Sequence, residues 1–212
     1  MWSWIQDNAS ALSAVSGLVT VALWFFYAQL LTHSFRRQRV ARVLINQCYG
    51  DDCASVCLVS NMSHEPVYIQ CLVLALNTGE ARYTSSITDL DRAESARGMD
   101  DSGTSVTRQG PLLSGHAMRI GRFDSLIDKA ARDHGLIDPD RTILQTQDLQ
   151  SVDVTAIINY GPDARALGFA RRFLIRRDDN EALRVRPETV ATSRLTNRRS
   201  RQRMQYWLAQ MT

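Results

Sequence analysis

Hydrophobic and polar positions divide the chain into one long uncharged run, followed by short apolar runs broken at turn residues. Residues 8–35 contain no Asp, Glu, Lys or Arg. At about 1.5 Å per helical residue this run extends roughly 40 Å, against a hydrocarbon core of about 30 Å, so one tilted helix can span it. Leu12, Leu18, Leu23, Phe25, Phe26, Leu30 and Leu31 each favour insertion by about 0.3–0.6 kcal/mol near the bilayer centre. The pattern predicts a single transmembrane helix over residues 9–35 in preference to a buried core helix. Trp2 and Trp4 before the run suit an interfacial belt.

Orientation follows from the flanks. Asp7 is the only charged side chain before the run, whereas Arg36, Arg37, Arg39 and Arg42 follow it in a basic juxtamembrane segment, residues 36–42. Basic residues stay preferentially on the cytoplasmic side, so residues 1–8 are expected outside and the remainder inside. A start without Lys or Arg and an apolar run beyond about 15 residues argue for an uncleaved anchor over a signal peptide. Ala9, Ser13 and Gly17 recur every four residues and offer a face on which a second helix could pack closely.

Beyond residue 41 the pattern changes to strands: 42–47, 55–60, 67–76, 81–88, 117–121, 152–160 and 167–176. They are rich in β-branched and aromatic residues, and several alternate as half-buried strands do. In the last, Leu167, Phe169, Arg171, Phe173 and Ile175 share one face, with Gly168, Ala170, Arg172 and Leu174 on the other. Val56 to Ser60, the turn residues Asn61, Ser63 and Pro66, and the restart at Val67, Tyr68 and Ile69 predict a hairpin. This segment resembles the hairpins of immunoglobulin-like β-sandwiches, and the resemblance implies a fold alone.

Three further segments complete the outline. Residues 89–110 read as a polar acidic loop and 138–150 as a polar connection. Phe123, Leu126, Ile127 and Ala130 have helical spacing, with Gly135 as the stop. Pro187, Glu188 and the arginines beyond predict a basic amphipathic helix over residues 187–212. The expected fold is mainly β: a transmembrane helix, an immunoglobulin-like antiparallel β-sandwich over residues 43–186 with a short inserted helix, and that C-terminal helix.

Composition alters this picture in two places. Lys129 is the sole lysine among 25 basic residues, a bias that suggests a bacterial source and hence a cell inner membrane. The net charge of +3 conceals segregation: residues 51–110 carry nine acids and four arginines, and residues 188–212 carry one acid and five arginines. Opposed charges of this kind can meet within the fold, so the total does not imply nucleic acid.

Candidate chemistry is sparse. Cys48, Cys53, Cys57 and Cys71 lack the close pairing of zinc or iron–sulfur ligands and read as buried free thiols. His33, His64, His116 and His134 form no known catalytic spacing, and Glu80, Asp89, Asp91 and Asp153 would act as paired carboxylates only if the fold joined them. No H-E-x-x-H, P-loop, G-x-S-x-G or G-x-G-x-x-G motif occurs. No cofactor or metal is implied. Arg36, Arg37, Arg39 and Arg42 supply a second reading as a patch for anionic lipid headgroups. Arg194, Arg198, Arg199 and Arg203 with Trp207 form a candidate partner surface, and the scarcity of aromatic residues among them disfavours nucleic acid.

The leading functional expectation is a single-pass membrane protein whose cytoplasmic domain binds or scaffolds a protein partner, with self-association through the anchor as one route. An accessory subunit of a larger inner-membrane assembly is the first alternative. A membrane-associated enzyme with an unrecognised site is the second.

Overall fold

The computed structural model describes residues 8–38, 40–89, 107–136, 149–161, 165–178 and 183–211. The protein is mainly β, with antiparallel sheets and an apolar N-terminal helix. It divides into two units, Met1–Val40 and Ala41–Thr212. Within the first, helix α1 (Ala9–Gln38) contains a 25-residue stretch, Ala9–His33, long and apolar enough to cross a membrane. Leu18 and Trp24 are each 73% exposed. The hydroxyls of Thr20 and Thr32 donate to the carbonyls of Ser16 and Ala28 at 2.8 and 2.7 Å, which removes their need for water.

The second unit contains two sheets. The smaller has the order β1 (Val43–Cys48), β2 (Val56–Asn61), β6 (Ala117–Arg122). The larger runs β10 (Ser193–Arg194), β8 (Leu167–Arg177), β7 (Leu149–Tyr160), β3 (Val67–Thr78), β4 (Arg82–Ser86). β9 (Leu183–Pro187) extends the β8 edge, and β5 (Gly110–Leu112) pairs with the start of β3. Val43, Ile45 and Val59 of the small sheet share one buried core with Ile69, Leu72, Leu74, Val152 and Val154 of the large one. All seven expected strands are present, whereas β5, β9 and β10 are too short or too polar to stand out by alternation.

The expected hairpin is corrected. β2 and β3 do not pair: β2 lies between β1 and β6, and β3 pairs with β4, β5 and β7. Their connection carries the chain from one sheet to the other, organised by the fully buried Asn61 amide. Its Nδ2 donates to the carbonyls of Glu65 and Leu112, each at 2.9 Å, while its Oδ1 accepts the Ser63 N–H at 2.8 Å. An Asn side chain that holds its own loop in this way replaces the ladder bonds of a hairpin.

β3 is buried on both faces from Cys71 to Leu76, because the main core covers one side and a second cluster the other, and a register shift between Ile69 and Cys71 changes which residues point inward. Ile69, Leu72, Leu74 and Leu76 join the main core, and Cys71 and Val73 face the opposite side. Helix α2 (Phe123–Asp133) adds Phe123, Leu126, Ile127 and Ala130 to the main core, with the Phe123 and Phe173 rings 4.8 Å apart. It ends as expected at Gly135: the Gly135 N–H bonds Arg132 O at 3.0 Å and the Leu136 N–H bonds Ala131 O at 2.9 Å.

The C-terminal helix is shorter than expected. Helix α3 begins at Arg198 and ends at Met211, and Pro187 closes β9 instead of opening a helix. Residues 183–187 and 193–194 complete the edge of the large sheet, where tertiary pairing with β8 outweighs the local helix signals of Pro187 and Glu188. The sheet region therefore extends beyond residue 186. Of the expected loop at 89–110, residues 90–106 lie outside the described residues, as do 138–148 of the expected connection at 138–150; Gly110 begins β5, and Leu149 and Gln150 belong to β7.

Candidate functional site

The outer face of the large sheet carries residues opposite to the core: Asp153, Thr155 and Ile157 of β7, flanked by Arg172, Ala170 and Gly168 of β8. Gly168 leaves the space into which α3 fits. A Cβ built there would lie 2.2 Å from Met204 Sδ and 3.0 Å from Leu195 Cδ1, so only glycine permits this approach. Met204 and Trp207 of α3 then cover Cys71, Val73 and Ile157 as a second small core.

Beside that contact, between α3 and the sheet, lies a cavity of about 270 Å³. Arg82, Arg171, Arg172 and Arg203 line it together with Asp153 and Glu188, so four arginines meet two carboxylates. Asp153 is only 8% exposed and holds Arg172 at 2.6 Å and Arg82 at 2.9 Å. The bond to Asp153 raises the pKa of Arg172, which favours its charged form. Thr155 also lines the cavity, is 4% exposed, and its hydroxyl has no hydrogen-bond partner among the described residues. Arg203 also lines the cavity but is exposed.

Arg171, the next residue along β8, turns to the other side of the sheet. Its guanidinium donates to Ile45 O at 2.7 Å, Thr189 O at 2.8 Å and Val190 O at 3.0 Å, as well as to Asn46 Oδ1. β1 is an edge strand, and the Ile45 N–H is met by Thr192 Oγ1 at 2.9 Å. Arg171 and Thr192 thus satisfy the backbone of one sheet's edge from the other. Burial lowers the Arg171 pKa from its ordinary value.

The residues singled out by sequence are spread over the chain. Ala9, Ser13 and Gly17 are exposed along α1, Arg36 and Arg37 fall on its last turn, and Trp2, Trp4 and Arg39 lie outside the described residues. The Arg42 N–H donates to Ser63 Oγ at 2.8 Å. Arg194, Arg198, Arg199 and Arg203 are exposed, but Trp207 is 9% exposed. Trp207 packs with Met204 against the chain's own sheet, so the four arginines are the exposed part of the expected partner surface.

Asp153 pairs with Arg82 and Arg172 and not with Glu80 or Asp89, and Asp91 lies outside the described residues. His116 Nδ1 lies 3.1 Å from Ser114 O and His134 Nε2 lies 3.0 Å from Thr84 O. Cys53, Cys57 and Cys71 are buried thiols outside any disulfide, and the Cys53 thiol donates to Leu183 O at 3.6 Å. Burial pushes the Cys57 thiol up to about 12 and Cys53 up to about 11, so both stay protonated near neutrality. Among the described residues no group of three or more His, Cys, Asp or Glu could hold a metal ion.

Sequence reasoning passed over Thr155, Arg82 and Arg172. A signal was present nonetheless: Asp153 is the lone charge in the apolar run of β7, and a charge there requires a partner. Comparison with protein-family models, curated proteins and solved structures finds no match.

Proposed function

We propose that this chain is a single-pass protein of the cell inner membrane, with its N-terminus outside and residues 41–212 forming a cytoplasmic binding or scaffolding domain. The observation that carries the proposal is α1: a 25-residue apolar stretch whose largest side chains are exposed, followed at once by Arg36, Arg37, Arg39 and Arg42. Exposing such a row of Leu, Phe and Trp to water would be costly, and lipid removes that cost. The four arginines then set the direction of insertion.

The domain's two antiparallel sheets around a shared core support an immunoglobulin-like arrangement, with α2 packed into the core and α3 covering the outer face. Its role as a binding module rests on the cavity beneath α3, where charged and hydroxyl groups converge without forming a catalytic constellation. A reporter enzyme that is active only outside the inner membrane, fused after Arg42, tests the orientation. The fusion should be inactive while the same reporter fused before Asn8 is active. Activity after Arg42 would reverse the proposed topology.

A further inference from the structure

We propose that the cavity between α3 and the large sheet binds a small oxyanion, a phosphate or carboxylate group, held by Arg203, Arg172 and the Thr155 hydroxyl. The inference deepens the reading of the domain as a binding module and is independent of which way the anchor runs.

Charge is the first argument. Arg82, Arg172 and Arg203 face the cavity against Asp153 and Glu188, which leaves one positive charge in excess. Arg171 also lines the cavity, and because its guanidinium donates to neutral carbonyls its charge is not cancelled and adds to that excess. Both oxygens of Asp153 are already engaged by the Arg82 and Arg172 guanidinium groups, at 2.9 Å and 2.6 Å, so the carboxylate orients those arginines and has little left to accept. Arg172 uses Nε and Nη2 in these bonds, leaving Nη1 for another acceptor.

The second argument is independent of charge. Thr155 is 4% exposed on the cavity wall, and its hydroxyl lacks a partner among the described residues. The hydroxyl opens onto the cavity and is not one of the sealed polar atoms left without a partner, so it is a donor available to a solute there. Guanidinium forks match phosphate and carboxylate geometry, and a hydroxyl can supply a further donor. At about 270 Å³ the space suits a small solute or a single headgroup-sized moiety.

The full chain in detergent micelles provides the test, with Trp2, Trp4 and Trp24 replaced by Phe so that Trp207, on the cavity wall, is the sole tryptophan and is excited selectively. Inorganic phosphate and succinate are titrated separately, with sodium chloride at matched ionic strength as the control. A saturable fluorescence change with either oxyanion, absent with chloride, is expected, and the tighter of the two arms identifies the group preferred. Affinity should fall about tenfold or more in Arg203→Ala and in Thr155→Val, and return in Thr155→Ser.

Melting of each variant without ligand separates loss of binding from loss of fold, and isothermal titration of the chain with all four tryptophans intact guards against an effect of the Phe replacements. A response no different from chloride in both assays would overturn the inference. So would unchanged affinity in folded Arg203→Ala and Thr155→Val. The reporter fusion reads orientation and the titration reads the cavity, so either reading can fail alone.

Discussion

Replacing Trp207 with alanine removes the largest side chain that holds α3 on the sheet. Trp207 is 9% exposed and packs with Met204 over Cys71, Val73 and Ile157. Full truncation of a core aromatic costs about 3–5 kcal/mol. This cluster is small and borders the cavity, which places the cost near the lower end, about 3 kcal/mol. The main core is separate and includes neither Trp207 nor Met204, so the loss should fall on docking of α3 and leave the two sheets folded.

Cys71 reports that event because it is fully buried beneath the helix, whereas Cys57 is fully buried in the main core. Labelling with a neutral-pH thiol reagent, read peptide by peptide by mass spectrometry, should show Cys71 reacting faster in Trp207→Ala by about two orders of magnitude, since 1.4 kcal/mol is about tenfold. Cys57 should stay protected. Equal Cys71 rates in the two proteins would refute the docking, and a matching rise at Cys57 would show global unfolding instead.

Three other outcomes follow from the same geometry. Gly168→Val should also expose Cys71 to the reagent, because the added side chain overlaps Met204 and Leu195, at a cost of about 1–3 kcal/mol; unchanged labelling would contradict the close approach. Arg171→Lys keeps the charge but cannot reach Ile45 O, Thr189 O and Val190 O together, so the urea midpoint should fall by the equivalent of about 2 kcal/mol. Cys57 has its pKa raised from 9.0 to about 12 by burial, so its contribution is intact below pH 9 and is lost as pH rises toward 12. Melting temperature should therefore fall over that range, and less steeply in Cys57→Ala; parallel curves would remove the thiol from the account.

Period and composition made the strands legible because most of them bury one face and alternate accordingly. β8 is an example, and Phe123, Leu126, Ile127 and Ala130 marked α2 by the same logic with a helical repeat. Pairing was less legible. Asn61, Ser63 and Pro66 signal a turn without saying whether the chain folds back into one sheet or crosses to another, and it was the Asn61 amide's partners that decided it. Pro187 and Glu188 suit a helix start, yet the open edge of β8 recruits the residues around them as strands. The cavity was hidden for a related reason: Arg82, Asp153, Thr155, Arg172 and Arg203 come from four elements, and only the sheet register and the Gly168 contact bring them together.

Membrane attachment with an inward-facing domain is the central claim, and protease access on the two sides of the bilayer tests it most directly. The full chain, expressed in a bacterium with an epitope tag after Thr212, is exposed to trypsin in intact spheroplasts and in inverted inner-membrane vesicles, after an alkaline carbonate wash of the membranes. The chain should remain with the washed membranes, keep its tag in spheroplasts and lose it in inverted vesicles. Release by the wash, or loss of the tag in intact spheroplasts, would contradict the account.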